Sequence, residues 1–146
     1  MTKDKNSDQE GWAVAVPRDD PDMKQAYREA RDTVEVFITS LRNPTPTQKY
    51  FAVKIRLRDD SGVDEYVWIR DVSYDDHAFT GEMSSVPAGP SYKVGDSYRV
   101  DKNEIYDWMI VDNGNLVGGY TIRAARRKMT VESRRQFDEH SWFDVD

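Results

Sequence analysis

The side chain with most reason to carry chemistry is Asp107, a carboxylate in the run Ile105-Tyr106-Asp107-Trp108-Met109-Ile110-Val111, whose other members are all apolar or aromatic. A carboxyl in such surroundings either titrates near neutrality, as a general acid or base must, or is held by donors such as a tyrosine hydroxyl or an arginine. Buried polar groups are usually satisfied, so Asp107 is read as tying Tyr120 or neighbouring backbone. The rival reading gives Asp107 or His77 an acid–base role in a cleft. Asp75-Asp76-His77 and Asp138-Glu139-His140, with Asp144 and Asp146 behind, contain ligand types for zinc and for hard cations. Neither has the spacing of a known metal site, and adjacent ligands in a turn seldom converge on one ion, so both are read as solvated turns holding no metal.

With two His, no Cys and no nucleophile-elbow motif, the chain shows no sign of triad chemistry. Gly114, Gly118 and Gly119 are read as lying inside a hairpin, so no glycine loop between a strand and a helix is expected to cradle a phosphate, and no cofactor is expected. Arg123, Arg126, Arg127, Lys128, Arg134 and Arg135 form one basic cluster. Lys128 with Glu132, Arg134 with Asp138 and Arg135 with Glu139 are four apart, and no aromatics interleave them, which describes a solvated helix face better than a nucleic-acid surface.

These residues are positioned by a hairpin predicted over Glu104–Arg123. Asn113-Gly114 suits a two-residue type I′ turn, because both central positions need φ > 0. That turn sets Val111 opposite Leu116, Ile110 opposite Val117, Met109 opposite Gly118, Trp108 opposite Gly119 and Asp107 opposite Tyr120. Both faces are then apolar, so the hairpin is expected to be central and covered on both sides. Trp108, Gly118, Gly119, Tyr120, Asp107, Trp68 and Phe37 are assigned to the structural core, with the Trp108 indole laid over Gly119.

Elsewhere, Met23, Ala26, Tyr27, Ala30, Val34, Phe37, Ile38 and Leu41 form one stripe at helical spacing, with Asp20 as N-cap, Pro21 at the first helical position and Asn43-Pro44 at the end. Val36 lies off the stripe as an exposed apolar residue. Strands are predicted at Tyr50–Arg58, Glu65–Val72, Ala78–Met83 and Ser97–Val100, with a bulge or close approach at Gly81. After Ile122 the spacing becomes helical, with Thr130 as the next N-cap. This order predicts an α+β fold, with a curved antiparallel sheet of five to six strands, half-barrel-like, an N-terminal amphipathic helix and a C-terminal helical segment. Residues 1–11 are read as a disordered lead and 12–146 as one domain, with Trp12–Val16 a short extended segment.

Without Cys the chain needs no staples at 146 residues and suits a reducing compartment, so a cytoplasmic location is expected. No apolar run approaches the roughly 20 residues of a membrane span. A net charge of −6 disfavours phosphate backbones and anionic lipid and leaves room for a basic partner.

The segment order, and above all Asp107-Trp108-Met109 with Gly118-Gly119-Tyr120-Thr121, resembles the YegJ-like bacterial family, domain of unknown function 2314, over about Pro21 to Phe137. The resemblance implies the fold and carries no activity. By analogy with other small bacterial families it implies immunity against a secreted toxin. The favoured function is therefore a non-catalytic protein-binding domain, with a small enzyme or a structural or regulatory subunit as rivals. Trp142 and Phe143, rimmed by Asp138 and Glu139, and Tyr92 in the Pro87–Lys93 loop, are the expected partner contacts. The same two tail aromatics would be structural if they folded back on the body, and the oligomeric state is left open.

Overall fold

The computed structural model describes residues 17–58, 62, 64–84 and 94–146. The lead over residues 1–11, the Trp12–Val16 segment and Tyr92 in its loop lie outside them.

Asp20 caps the first helix, α1 (Pro21–Asp32), by accepting from the amides of Asp22 and Met23. The stripe continues into α2 (Val34–Arg42), but the single helix foreseen is broken at Thr33. The Thr33 hydroxyl donates to the Glu29 carbonyl at 2.7 Å, a back-bond that bends helices, and the Trp108 indole N–H donates to Thr33 Oγ1 at 3.0 Å. Met23, Ala26, Ala30, Val34, Phe37 and Ile38 are buried, whereas Val36 is exposed.

Six strands follow: β1 (Gln48–Arg58), β2 (Asp64–Tyr74), β3 (Ala78–Met83), β4 (Ser97–Asp101), β5 (Asp107–Asp112) and β6 (Asn115–Gly118). They form one antiparallel sheet in the order β4-β3-β2-β1-β5-β6. A Cβ on Gly81 would stand 2.6 Å from the Arg70 carbonyl oxygen, which is the close approach the sequence suggested. The accompanying register shift lies in β2 between Arg70 and Ser73, where Asp71 has φ 52°.

The link from β4 to β5 forces the sheet to curl. In a flat sheet it would cross four strand spacings, about 19 Å. Its six steps from Asp101 to Asp107 include the 3-10 turn Lys102–Glu104 and reach only about 16 Å. The link is pinned beneath the helices, with Lys102 Nζ donating to Glu35 at 3.1 Å and Arg31 Nε donating to the Ile105 carbonyl at 2.9 Å.

The Asn113-Gly114 turn has φ 52° and 82°, as type I′ requires, and the expected register holds from Asp112–Asn115 to Met109–Gly118. Beyond that the expectation fails. Gly118 and Gly119 have φ 73° and 65°, the strand stops, and a helix, α3 (Tyr120–Arg127), begins at Tyr120. Trp108 therefore covers Gly118, where a Cβ would lie 2.5 Å from the indole ring. The hairpin is also not central, since β6 is an edge strand. Its two apolar faces arise because α2 packs Phe37 against Trp108 on one side, while Ile122, Phe143 and Val145 cover Ala52, Met109, Val111 and Leu116 on the other. A last helix, α4 (Val131–His140), is capped by Thr130, whose Oγ1 accepts from the Ser133 amide.

Candidate functional site

The carboxylate of Asp107 forms the densest polar node of the described residues. Oδ1 accepts from the amides of Trp108 at 2.8 Å and Tyr120 at 3.0 Å; Oδ2 accepts from the amide and hydroxyl of Thr121 at 2.8 and 2.5 Å. Asp107 is therefore the anion at the N-terminus of α3, reaching it from β5 across the Gly118-Gly119 turn. A strand–Gly–Gly–helix junction does exist here, contrary to the hairpin reading, and the chain's own carboxylate fills it. Lys54, paired with Asp107 across β1 and β5, donates from Nζ to Thr121 Oγ1 at 3.0 Å and lies 5.5 Å from the centroid of the Trp68 ring. Burial raises the Asp107 carboxyl above its ordinary value, opposed by the Lys54 charge and by the donors of Thr121 and Trp108; burial lowers the Lys54 ammonium, opposed by Asp107. Asp107 and Thr121 are 0 % and 1 % exposed, so the carboxylate is closed off from solvent.

The remaining members of the core set surround it. The Tyr120 hydroxyl lies 3.2 Å from Thr33 Oγ1, its ring stands edge-on to Trp108 at 5.8 Å, and Trp68 packs against the opposite face of the sheet. His77 is exposed in the β2–β3 turn, where Asp75 accepts from the amides of His77 and Ala78 and pairs with Arg99 at 2.7 Å, while Asp76 pairs with Arg42.

At the C-terminus, Asp138 is gripped by both Nε and Nη2 of Arg126 at 2.9 and 2.7 Å, Glu139 pairs with Arg135 at 2.8 Å, and Asp146 pairs with Arg123 at 2.7 Å. Only the Arg135 pairing follows the spacing expected from the sequence. Arg134 instead donates to carbonyls of Arg126, Arg127 and Met129, and Lys128, beyond the end of α3, reaches Asp20 and Asp22. The tail folds back on the body: the Asp144 amide donates to the Gly114 carbonyl and its carbonyl accepts from Leu116, both at 2.8 Å. Phe143 packs into the core cluster beneath, yet Trp142 stays 61 % exposed, edge-on to Tyr50 at 5.0 Å.

Sequence reasoning missed one feature. Arg31, Arg56 and Arg99, from α1, β1 and β4, share a cleft of about 430 Å³ with Tyr98 and Tyr106. Tyr106 is fixed edge-on against Tyr27 at 5.0 Å and Tyr66 at 4.8 Å, with the Arg31 guanidinium 4.8 Å from its centroid. Burial and the neighbouring phenols push Tyr27 up to about 12. Only the curl of the sheet brings these residues to one cleft.

The sequence pattern of the family described as "Uncharacterized protein conserved in bacteria (DUF2314)" matches residues 20–145. The chain belongs to the DUF2314 family. It is similar to YegJ of Escherichia coli K12, named as an uncharacterized protein, with 32% identity over 101 residues, 68% of this chain and 64% of that protein. It is also 30% identical over 131 residues to a protein of Neisseria meningitidis serogroup B named as an ankyrin repeat protein, covering 84% of this chain and 52% of the relative. This DUF2314 chain thus spans about half to two thirds of the length of these relatives. No solved structure matches it. The Asp107 node, the cleft arginines and Trp142 all fall within the matched residues.

Proposed function

We propose that this chain is a non-catalytic protein-binding domain of a bacterial protein, acting as an immunity-type partner of a toxin through the surface around Trp142. The observation that carries the reading is the state of that indole. Trp142 is 61 % exposed, yet its neighbours Phe143 and Asp144 are pinned to the body and its ring rests against Tyr50. An exposed tryptophan on an anchored segment has little conformational freedom left to lose on association, which is the property of an interface anchor. Asp138 and Glu139 are spent on ion pairs with Arg126 and Arg135, while the net charge of −6 favours a basic partner in the encounter.

The test places a photo-crosslinking amino acid at Ser141 in the full chain, expressed in its bacterial host. One stoichiometric partner, lost on Trp142→Ala with the melting temperature kept, supports the reading. Crosslinking that is indifferent to Trp142→Ala removes Trp142 as the anchor.

A further inference from the structure

We infer that the cleft between α1, β1 and β4 binds a compact ligand that carries a carboxylate or phosphate on a flat apolar body. The inference is independent of the Trp142 surface, because Tyr50 and Arg56 lie toward opposite ends of β1, about 20 Å apart at strand rise.

Charge is the first ground. Three arginines and, among the described residues, one acidic residue, Glu104, belong to the lining of the cleft, in a chain whose net charge is −6. Among the described residues, two of the arginines are poorly neutralised. Arg31 spends its Nε on the Ile105 carbonyl and its face on Tyr106, with no ion pair among the described residues. Arg56 has Asp64 only at 3.9 Å, and that carboxylate is held closer by Arg58, at 3.0 Å. Arg99 is tied to Asp75 and supplies field more than free donors. Guanidinium groups only weakly neutralised at a recess favour carboxylate or phosphate, whose oxygens match their forked donors.

Shape and lining are the second. About 430 Å³ lies within the range of small-molecule sites, and Ile55, Leu57 and Val100 give the cleft an apolar part. Tyr106 is held by two other tyrosines and a cation, so its ring presents a fixed wall. Tyr98 and Asn103 add polar tips to the same lining. A bare inorganic ion would leave the apolar and aromatic lining unused, whereas an aromatic acid or aryl phosphate would use both halves.

The test is an amide NMR titration of the full chain with phenyl phosphate, benzoate, inorganic phosphate and phenol. Saturable shifts at Tyr98, Arg99, Val100, Asn103 and Tyr106 are expected from phenyl phosphate or benzoate, at least tenfold tighter than from phenol or inorganic phosphate. The stronger of the two organic anions identifies phosphate or carboxylate as the recognised group. Arg56→Gln is expected to weaken that anion at least fivefold with the melting temperature unchanged, and Glu104→Gln to tighten it. Phenol binding as tightly as both anions, shifts that map away from the cleft, no saturable binding, or indifference to both substitutions would each overturn the inference.

Discussion

Removing the Asp107 carboxylate should cost far more than an ordinary substitution, and the structure sets the size of the loss. Asp107→Ala strips a partner from three amides, those of Trp108, Tyr120 and Thr121, and from the Thr121 hydroxyl. It also leaves the Lys54 ammonium beside Thr121 without its counter-charge. Leaving buried donors without their acceptor costs about 1 to 3 kcal/mol each and losing a helix cap about 1, so with partial relaxation about 4 to 6 kcal/mol is expected. That is a large share of the 5 to 15 kcal/mol or so that a domain possesses. Asp107→Asn keeps one acceptor oxygen for Trp108 and Tyr120 but turns an NH₂ toward Thr121, and should lose about half as much. Urea unfolding followed by tryptophan fluorescence measures both. A loss below about 1 kcal/mol for the alanine variant would refute the cap, as would a fully stable variant that had lost an enzymatic activity.

Gly118→Ala, at φ 73° with its Cβ 2.5 Å from the Trp108 ring, should destabilise by about 3 to 5 kcal/mol, whereas Gly114→Ala, at φ 82° with open space, should cost about 1 to 2; equal melting temperatures would contradict the packing of the indole on Gly118. Truncation after Ser141 removes Phe143, Val145 and both backbone bonds of Asp144 to the hairpin, and should cost about 3 kcal/mol by calorimetry; an unchanged melting curve would release the tail from the fold. Arg126 holds the Asp138 carboxyl below its ordinary 3.8, so its contribution is complete above that value and is lost as pH falls through the lowered one. The urea midpoint difference between the native protein and Asp138→Asn should thus be present at pH 6 and vanish in strong acid; a difference that grows on acidification would reverse the sign.

What could be seen in the sequence was local. Asn113-Gly114 fixed a turn because few other pairs accept two positive φ values, and Asp20-Pro21 and Thr130 marked helix starts through their own side chains. The end of the second hairpin strand was hidden because Tyr120-Thr121-Ile122 has strong strand propensity. Its helix is started by a carboxylate thirteen residues earlier, a bond that no local pattern carries. The break at Thr33 was hidden for the same reason, since the indole that meets it comes from β5. The arginine cleft was illegible because Arg31, Arg56 and Arg99 read singly as solvated charges until the short β4–β5 link curls the sheet. The tail aromatics were visible as a pair, and only the packing divides Phe143, against the core, from Trp142, facing outward.

The central claim, that Trp142 serves a partner rather than the fold, is tested most directly by following the melting temperature and site-specific crosslinking of Trp142→Ala in one preparation. A side chain that is 61 % exposed should cost about 1 kcal/mol or less, a shift of roughly 2 to 4 °C at this chain length, while the crosslinked partner disappears. A drop of ten degrees or so with the partner still captured would contradict the account and return Trp142 to the core.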